Sequence, residues 1–262
     1  MVLYTRLVEN GLKREKCIQG RQLNLMNVER TLVISDIHGC YREFIELLEK
    51  IEYRSLQDRL ILLGDYVSRG PKSKEVVELV MHLVQEQGAI ALQGNHDHRF
   101  VRVMENRASE QDITRFFEHG GSETLHSYCR TTRSNRLEHL KEARDVMLGE
   151  FASHLAFLKK LPFYYEDNDY IYVHAGLNPS VAQLCEQSTH DLLYIKEQFY
   201  RNKTRMEKVV VFGHTVTKDI HGSYAIWLGG DKIGIDGGCS FGGQLNCLEL
   251  VNGKVGRFFE SA

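Results

Sequence analysis

Thr31-Leu32-Val33-Ile34-Ser35-Asp36-Ile37-His38-Gly39 is the stretch whose reading decides the fold. A short β-branched apolar run with no polar alternation predicts a strand covered on both faces, Thr31–Ser35. It breaks into an Asp-x-His-Gly turn, and Tyr41–Ile51 follows with Phe44, Ile45, Leu47, Leu48 and Ile51 at helical spacing. The same grammar repeats twice. Arg59–Leu63 runs into Gly64-Asp65-Tyr66-Val67-Ser68-Arg69-Gly70 and then an amphipathic helix over Ser73–Gln87. Gly88 stops that helix, and Ala89–Leu92 runs into Gly94-Asn95-His96-Asp97. Strands alternating with helices imply βαβ units, a parallel sheet and right-handed crossovers. The loops after such strands gather at one edge, where open α/β sheets bind ligands.

Further along, residues 98–165 lack strong strand signals and read as mainly helical, an insertion or cap. The second half changes character: Tyr170–His174, Val209–Phe212, Ala225–Leu228, Lys232–Ile235 and Leu245–Leu250 read as short strands, with a hairpin turn at Gly229-Gly230. Two of these strands end in histidine, in Val173-His174-Ala175-Gly176 and Phe212-Gly213-His214-Thr215. The glycines between Gly229 and Gly243 join no strand to a following helix, which excludes a Rossmann or P-loop reading.

Five apolar runs thus end in a metal-capable side chain with glycine beside it. Carboxylate, imidazole and amide oxygen without thiolate suit manganese, iron or zinc. Asp36 and His38 can reach one ion where the chain turns. Asp65 has two carboxylate oxygens and can bridge two ions, and Asn95, His174 and His214 can complete the second. Two ions about 3.5–4 Å apart clamp attacking and leaving oxygens during displacement at phosphorus, and they lower the pKa of a water between them.

Bulk composition agrees with an enzyme of this kind. The chain has 262 residues, 42% hydrophobic and 26% charged, an ordinary globular balance that fits one large α/β domain. A net charge of −2 disfavours a life on nucleic-acid backbone or an anionic membrane surface. The basic segment Arg130, Arg133, Arg136, Lys141, Arg144 is interleaved with Glu138 and Glu142 and reads as a solvated helix face. Six scattered cysteines without a C-x-x-C read as free thiols in a reducing cytoplasm. The N-terminus has no secretory pattern, and no stretch approaches the roughly 18 apolar residues of a membrane span. Residues 1–26 read as a peripheral extension, with Met26 as a candidate natural start, and residues 27–262 as a single domain. Oligomeric state is not legible.

The three loops, the two histidines and their order closely resemble the phosphoprotein phosphatase branch of the calcineurin-like metallophosphoesterases. The resemblance runs from about Thr31 to Leu250 and includes Gly120-Gly121-Ser122-Glu123-Thr124-Leu125 and Ile235-Asp236-Gly237-Gly238-Cys239. It looks most like the small bacterial-type members, serine/threonine protein phosphatases or diadenosine tetraphosphate hydrolases. The fold it implies is a sandwich of two mixed β-sheets flanked by helices, with a dinuclear metal site at the strand ends. The site it implies has Asp36, His38 and Asp65 on one ion, and Asp65, Asn95, His174 and His214 on the other. His96 is then the general acid and Arg69 the phosphate-gripping fork. The expected cofactor is a pair of divalent or trivalent ions, manganese first, iron or zinc as alternatives. The expected reaction is hydrolysis by a hydroxide bridging the ions.

Three departures qualify that pattern. Ser35 stands where glycine is common, without expected consequence. Ser68 replaces the aspartate that pairs with the catalytic histidine, so His96 should be less basic and less firmly held. Lys196 is the nearest match to a second phosphate-binding arginine, and lysine lacks the bidentate fork. Both later changes favour activated leaving groups. On sequence alone the substrate ranks as a phosphorylated protein first, a dinucleoside polyphosphate second, with a weakly active metal-binding scaffold third. His98, His119, His126, His139, His154 and His190 read as surface or helix residues.

Overall fold

The computed structural model describes residues 30–55, 57–129 and 136–261. The expectations for residues 1–26, and for Arg130 and Arg133, lie outside the described residues.

The chain begins with strand β1 (Arg30–Ile34), helix α1 (Tyr41–Lys50), β2 (Asp58–Leu62), α2 (Ser73–Gln87) and a two-residue β3 (Ile90–Ala91). These strands are parallel, with Val33 opposite Ile61 and Ile61 opposite Ile90. Gly88 ends α2 in the left-handed conformation at φ 72°, as its sequence position predicts. Five helices follow among the described residues: α3 (Asn95–Met104), α4 (Glu110–Glu118), α5 (Gly121–Tyr128), α6 (Arg136–Gly149) and α7 (Ala152–Lys160). The second sheet comes from β4 (Tyr164–Glu166), β5 (Tyr170–Val173), β6 (Val209–Phe212), β7 (Trp227–Leu228) and β8 (Lys232–Gly234). Between β5 and β6 lie the short helices α8 (Thr189–Tyr194) and α9 (Glu197–Tyr200), and α10 (Thr217–His221) follows β6. Finally β9 (Leu245–Val251) and β10 (Lys254–Ser261) return to the first sheet, giving strand orders β10-β9-β1-β2-β3 and β4-β5-β6-β8-β7.

Both sheets are mixed, because β9 runs antiparallel to β1 while β4 and β7 run antiparallel to β5 and β8. The architecture is therefore the expected α/β sandwich. Gly229 donates to the Lys232 carbonyl at 2.8 Å and closes the expected hairpin.

Alternation along β1 explains the layering. Val33 joins Ile61, Leu63, Tyr172, Val211 and Ile233 in a cluster between the sheets. Leu32 and Ile34 face the other way, onto Phe44, Leu47, Val77 and Phe100 from the helices. A third cluster covers the outer face of the second sheet, where Val173 and Phe212 meet Phe199. β1 is buried on both faces, which is why it shows no alternation in sequence. Truncating a residue such as Ile61 to alanine costs about 2–5 kcal/mol. Among the described residues no helix is long and apolar enough to cross a membrane.

Two strands escape the sequence reading. β4 falls at the end of the stretch whose sequence reads as helical, and no sequence pattern marks β10. β10 pairs with β9 at the sheet edge and is almost wholly exposed, so it carries no hydrophobic period to read.

Candidate metal centre

All the parallel strands of both sheets end at one edge, and their loops bring the candidate residues together. Nine non-glycine residues among those described have positive φ, and six are here: Asp36, His38, Asp65, Ser68, Arg69 and His214. Left-handed backbone at ordinary residues costs roughly 1–3 kcal/mol each and persists only where surrounding structure imposes it. Glycine lets the loops touch. A Cβ at Gly94 would collide with Asp65, and one at Gly213 with Ser35 and Asp36.

Asp65 lies at the centre and is 1% exposed. Its Oδ2 is 3.4 Å from His38 Nε2 and 3.5 Å from His174 Nε2. Asn95 Oδ1 is 2.9 Å from His174 Nε2. Two groups of donors share Asp65: His38, Asp65 and His96 on one side, Asp65, His174 and His214 on the other, each within 4.8 Å. His38 Nδ1 donates to the Val67 carbonyl at 2.8 Å, and His174 Nδ1 to the Leu63 carbonyl at 3.1 Å. A carbonyl can only accept, so both rings carry their proton on Nδ1 and turn an Nε2 lone pair inward. The Nε2 of His214 is buried without a hydrogen-bond partner.

Asp36 is placed slightly differently. Its Oδ1 is 3.9 Å from His38 Nε2, and its Oδ2 accepts the Ser35 hydroxyl and the His214 N–H, the latter at 2.9 Å. Ser35 therefore orients a carboxylate of the centre, a role its position in the motif did not suggest. Arg69 reaches in from the second loop: Nη1 contacts His38 Nε2, and Nη2 is 3.3 Å from His96 Nε2. Its backbone N–H donates to Gly120 at 3.0 Å, and its guanidinium lies 4.5 Å above the Phe241 ring. Lys196 is exposed, but its charge reaches His214.

Electrostatics make this a place for cations. Burial first, then neighbouring positive groups, push His38, His96 and His214 well below the usual imidazole range. His174 is lowered too, by burial. Burial and the adjacent Asp36 push Asp65 well above the carboxylate range, and Asp236 likewise. Neutral imidazoles beside crowded carboxylates form a donor set that a metal ion satisfies and a proton satisfies poorly. The orphaned His214 Nε2, the inward-turned lone pairs and the thiolate-free donors all fit divalent ions.

Several contributors were missed. Asp97, wholly buried, braces the Asp65 loop by accepting N–H groups from Asp65 at 2.8 Å, Tyr66 at 2.9 Å and Gly94 at 3.0 Å. Burial and the nearby Asp65 raise it to about 7. The signal was available, as an acidic residue in the first turn of a helix whose N-terminus abuts the site. His119, expected at a surface or on a helix, packs against His96 with ring centroids 6.1 Å apart. Arg99, one turn into α3, is 6% exposed, and its Nε and Nη1 have no partner. The five described cysteines are free.

Comparison with known proteins bears on this geometry. A family model for calcineurin-like phosphoesterases matches residues 29–218. The chain is 27% identical over 237 residues to the asymmetrical bis(5'-nucleosyl)-tetraphosphatase PrpE of Anoxybacillus flavithermus, covering 82% of this chain and 88% of that protein. It is 33% identical over 149 residues to the symmetrical bis(5'-nucleosyl)-tetraphosphatase of Nitrosospira multiformis, covering 56% of this chain and 43%, less than half, of that protein. Among solved structures it is similar to a proposed diadenosine tetraphosphatase, with a TM-score of 0.62 at 20% identity, over 90% of this chain and 95% of that one. It is also similar to a serine/threonine phosphatase of Saccharomyces cerevisiae, with a TM-score of 0.55 at 16% identity, over 91% and 82%. At those identities the structural likeness shows the fold.

Proposed function

The chain belongs to the calcineurin-like phosphoesterase family, and on that premise we propose that it hydrolyses phosphoanhydride bonds of dinucleoside polyphosphates at two metal ions. It is a metallophosphoesterase, a hydrolase of the phosphoester class. The finer reading concerns substrate and residue roles.

One observation carries the substrate. Among the described residues no carboxylate hydrogen-bonds to the His96 ring; its hydrogen-bonding contact is with the Arg69 guanidinium, Nη2 to Nε2 at 3.3 Å. At the motif position where the family pattern carries the aspartate that steadies this ring stands Ser68, whose N–H donates to Thr124 Oγ1 at 2.8 Å. A neutral, unbraced imidazole is a weak acid catalyst. A serine alkoxide leaves badly without a proton, whereas a nucleotide phosphate leaving an anhydride needs little help. The names of the tetraphosphatase relatives support the same reading. This reverses the order in which sequence alone ranks protein and nucleotide substrates.

In this reading Asp36, His38 and Asp65 hold one ion, and Asp65, Asn95, His174 and His214 hold the other. Manganese is the first candidate. When bound, the pair supplies Lewis acidity at the phosphoryl oxygens and a water of low pKa. Arg69 grips nonbridging oxygens with its fork, held over Phe241. His96 presents Nε2 to the leaving oxygen and donates what proton is needed. Lys196, whose charge is felt at His214, contributes positive potential at the rim. Parallel assays with manganese on diadenosine tetraphosphate and a phosphoserine peptide test the reading. The expected result is a kcat/KM at least about 100-fold higher for the dinucleotide, a difference of about 2.7 kcal/mol. Preference for the peptide overturns it.

A further inference from the structure

Beside the metal centre lies a second cavity of about 270 Å³, between α3, α4 and α8, lined by Arg99, Arg102, Arg115, Asp112, His190 and Tyr194 among others. Three guanidinium groups face one carboxylate. Asp112 is already engaged, accepting from the Ser109 hydroxyl at 2.9 Å and lying 3.6 Å from Arg102. The cavity is therefore cationic.

Arg99 is the most buried of its charged groups. A guanidinium left buried with unpaired Nε and Nη1 is costly, and such a group in a native fold calls for a partner. The cavity also neighbours the metal centre. Arg99 lies 5.8 Å from the centroid of the Tyr194 ring, and that ring lies 6.5 Å from the His214 ring. The charge of Arg99 is felt at both Asp65 and His96. Asn95, Arg99 and Arg102 follow one another along α3 at near-helical spacing, so they step away from the metal centre at about 1.5 Å per residue.

We propose that this arginine-lined cavity is a binding subsite for the phosphates of a nucleoside polyphosphate that lie beyond the one being attacked. Guanidinium forks suit phosphate oxygens bidentately. At about 270 Å³ the cavity is below the roughly 300–1,000 Å³ usual for a whole drug-sized ligand. It takes part of a substrate whose other part sits at the metal centre. The cavity thus selects polyphosphates over simple monoesters, which reach only the metal centre. The inference rests on the nucleotide reading above and names where that specificity resides.

The test is a ratio. In wild type, Arg99→Met and Arg102→Ala, kcat/KM is measured for diadenosine tetraphosphate and for p-nitrophenyl phosphate at fixed free manganese. The ratio is expected to fall about tenfold in each variant, mostly through KM for the dinucleotide. Arg102 is partly exposed, so its variant reports even where loss of buried Arg99 impairs folding. An unchanged ratio in both variants overturns the proposal, as does a loss confined to an acidic phosphopeptide. A second measurement separates this from failure of the nucleotide reading. Inorganic tripolyphosphate and orthophosphate are compared as competitive inhibitors of p-nitrophenyl phosphate turnover. If wild type ignores the dinucleotide yet favours tripolyphosphate, and Arg102→Ala erases that preference, the subsite stands and only the substrate reading fails. If tripolyphosphate has no advantage over orthophosphate, the subsite falls.

Discussion

The two sheets contribute unequally to one site. The first supplies Asp36, His38, Asp65, Arg69, Asn95 and His96 from three consecutive strand–loop units. The second supplies His174 and His214, with Lys196 at the rim, from strands separated by two short helices. Carboxylates come mostly from the first sheet, with Asp236 after β8 added by the second, and the imidazoles come from both. The first sheet therefore carries most of the negative charge, while the second adds two imidazoles and one carboxylate. A site at the seam of two sheets is built only when their packing is correct, which couples folding to chemistry.

Breaking the shared element should have the largest effect. Asp65→Asn removes the carboxylate both donor groups share, and kcat/KM should fall about 10³-fold, roughly 4 kcal/mol, with bound metal reduced on elemental analysis. Full metal content with near-normal turnover would mean Asp65 is not the hinge of the centre. His214→Ala attacks only the second sheet's contribution. Turnover should drop about 10²-fold, with loss of one ion while the first-sheet group still binds its own. Loss of both ions together would show that the sheets do not act separably.

Proton competition sharpens the comparison next. The imidazoles have folded pKa values below their unfolded value of about 6.5, so the folded state binds fewer protons there. Their contribution to metal-free stability is intact above about pH 6.5 and is lost as pH falls below it. Asp65 is raised, so its contribution runs the other way, present at low pH and lost as pH climbs through its elevated pKa. The lowered imidazoles already carry a free lone pair near neutral pH, so the proton that must leave for a cation to bind is that of Asp65. Metal affinity, followed by calorimetry, should therefore rise with pH up to the elevated Asp65 pKa, by about tenfold per unit for that one proton. A flat profile would contradict this donor set.

The smallest expected change is Ser68→Asp, which restores the carboxylate of the family motif. Turnover of a phosphopeptide should gain up to about tenfold, and that of activated aryl phosphate less. Equal gains on both would remove the link between Ser68 and the preference for good leaving groups.

Much of the fold was legible because its strongest elements are local. β1, β2, α1 and α2 announce themselves through apolar runs and helical spacing within a dozen residues. β10 was not, because an exposed edge strand has no buried face to impose a period. β4 was not, because three residues between a helix and a turn are too few to show one.

The same division holds for the site. Short loops such as Ser35–Gly39 and Gly64–Gly70 carry their own turn chemistry, so Asp36, His38, Asp65 and Arg69 could be picked from the sequence alone, as could Asn95, His96, His174 and His214 at their strand ends. Tertiary structure alone decided that His214 has an orphaned Nε2, that Asp97 braces a loop thirty-odd residues away, and that the Nε and Nη1 of Arg99 are buried without a hydrogen bond. Desolvation and pairing depend on what packs from distant parts of the chain, and no window of sequence contains that information.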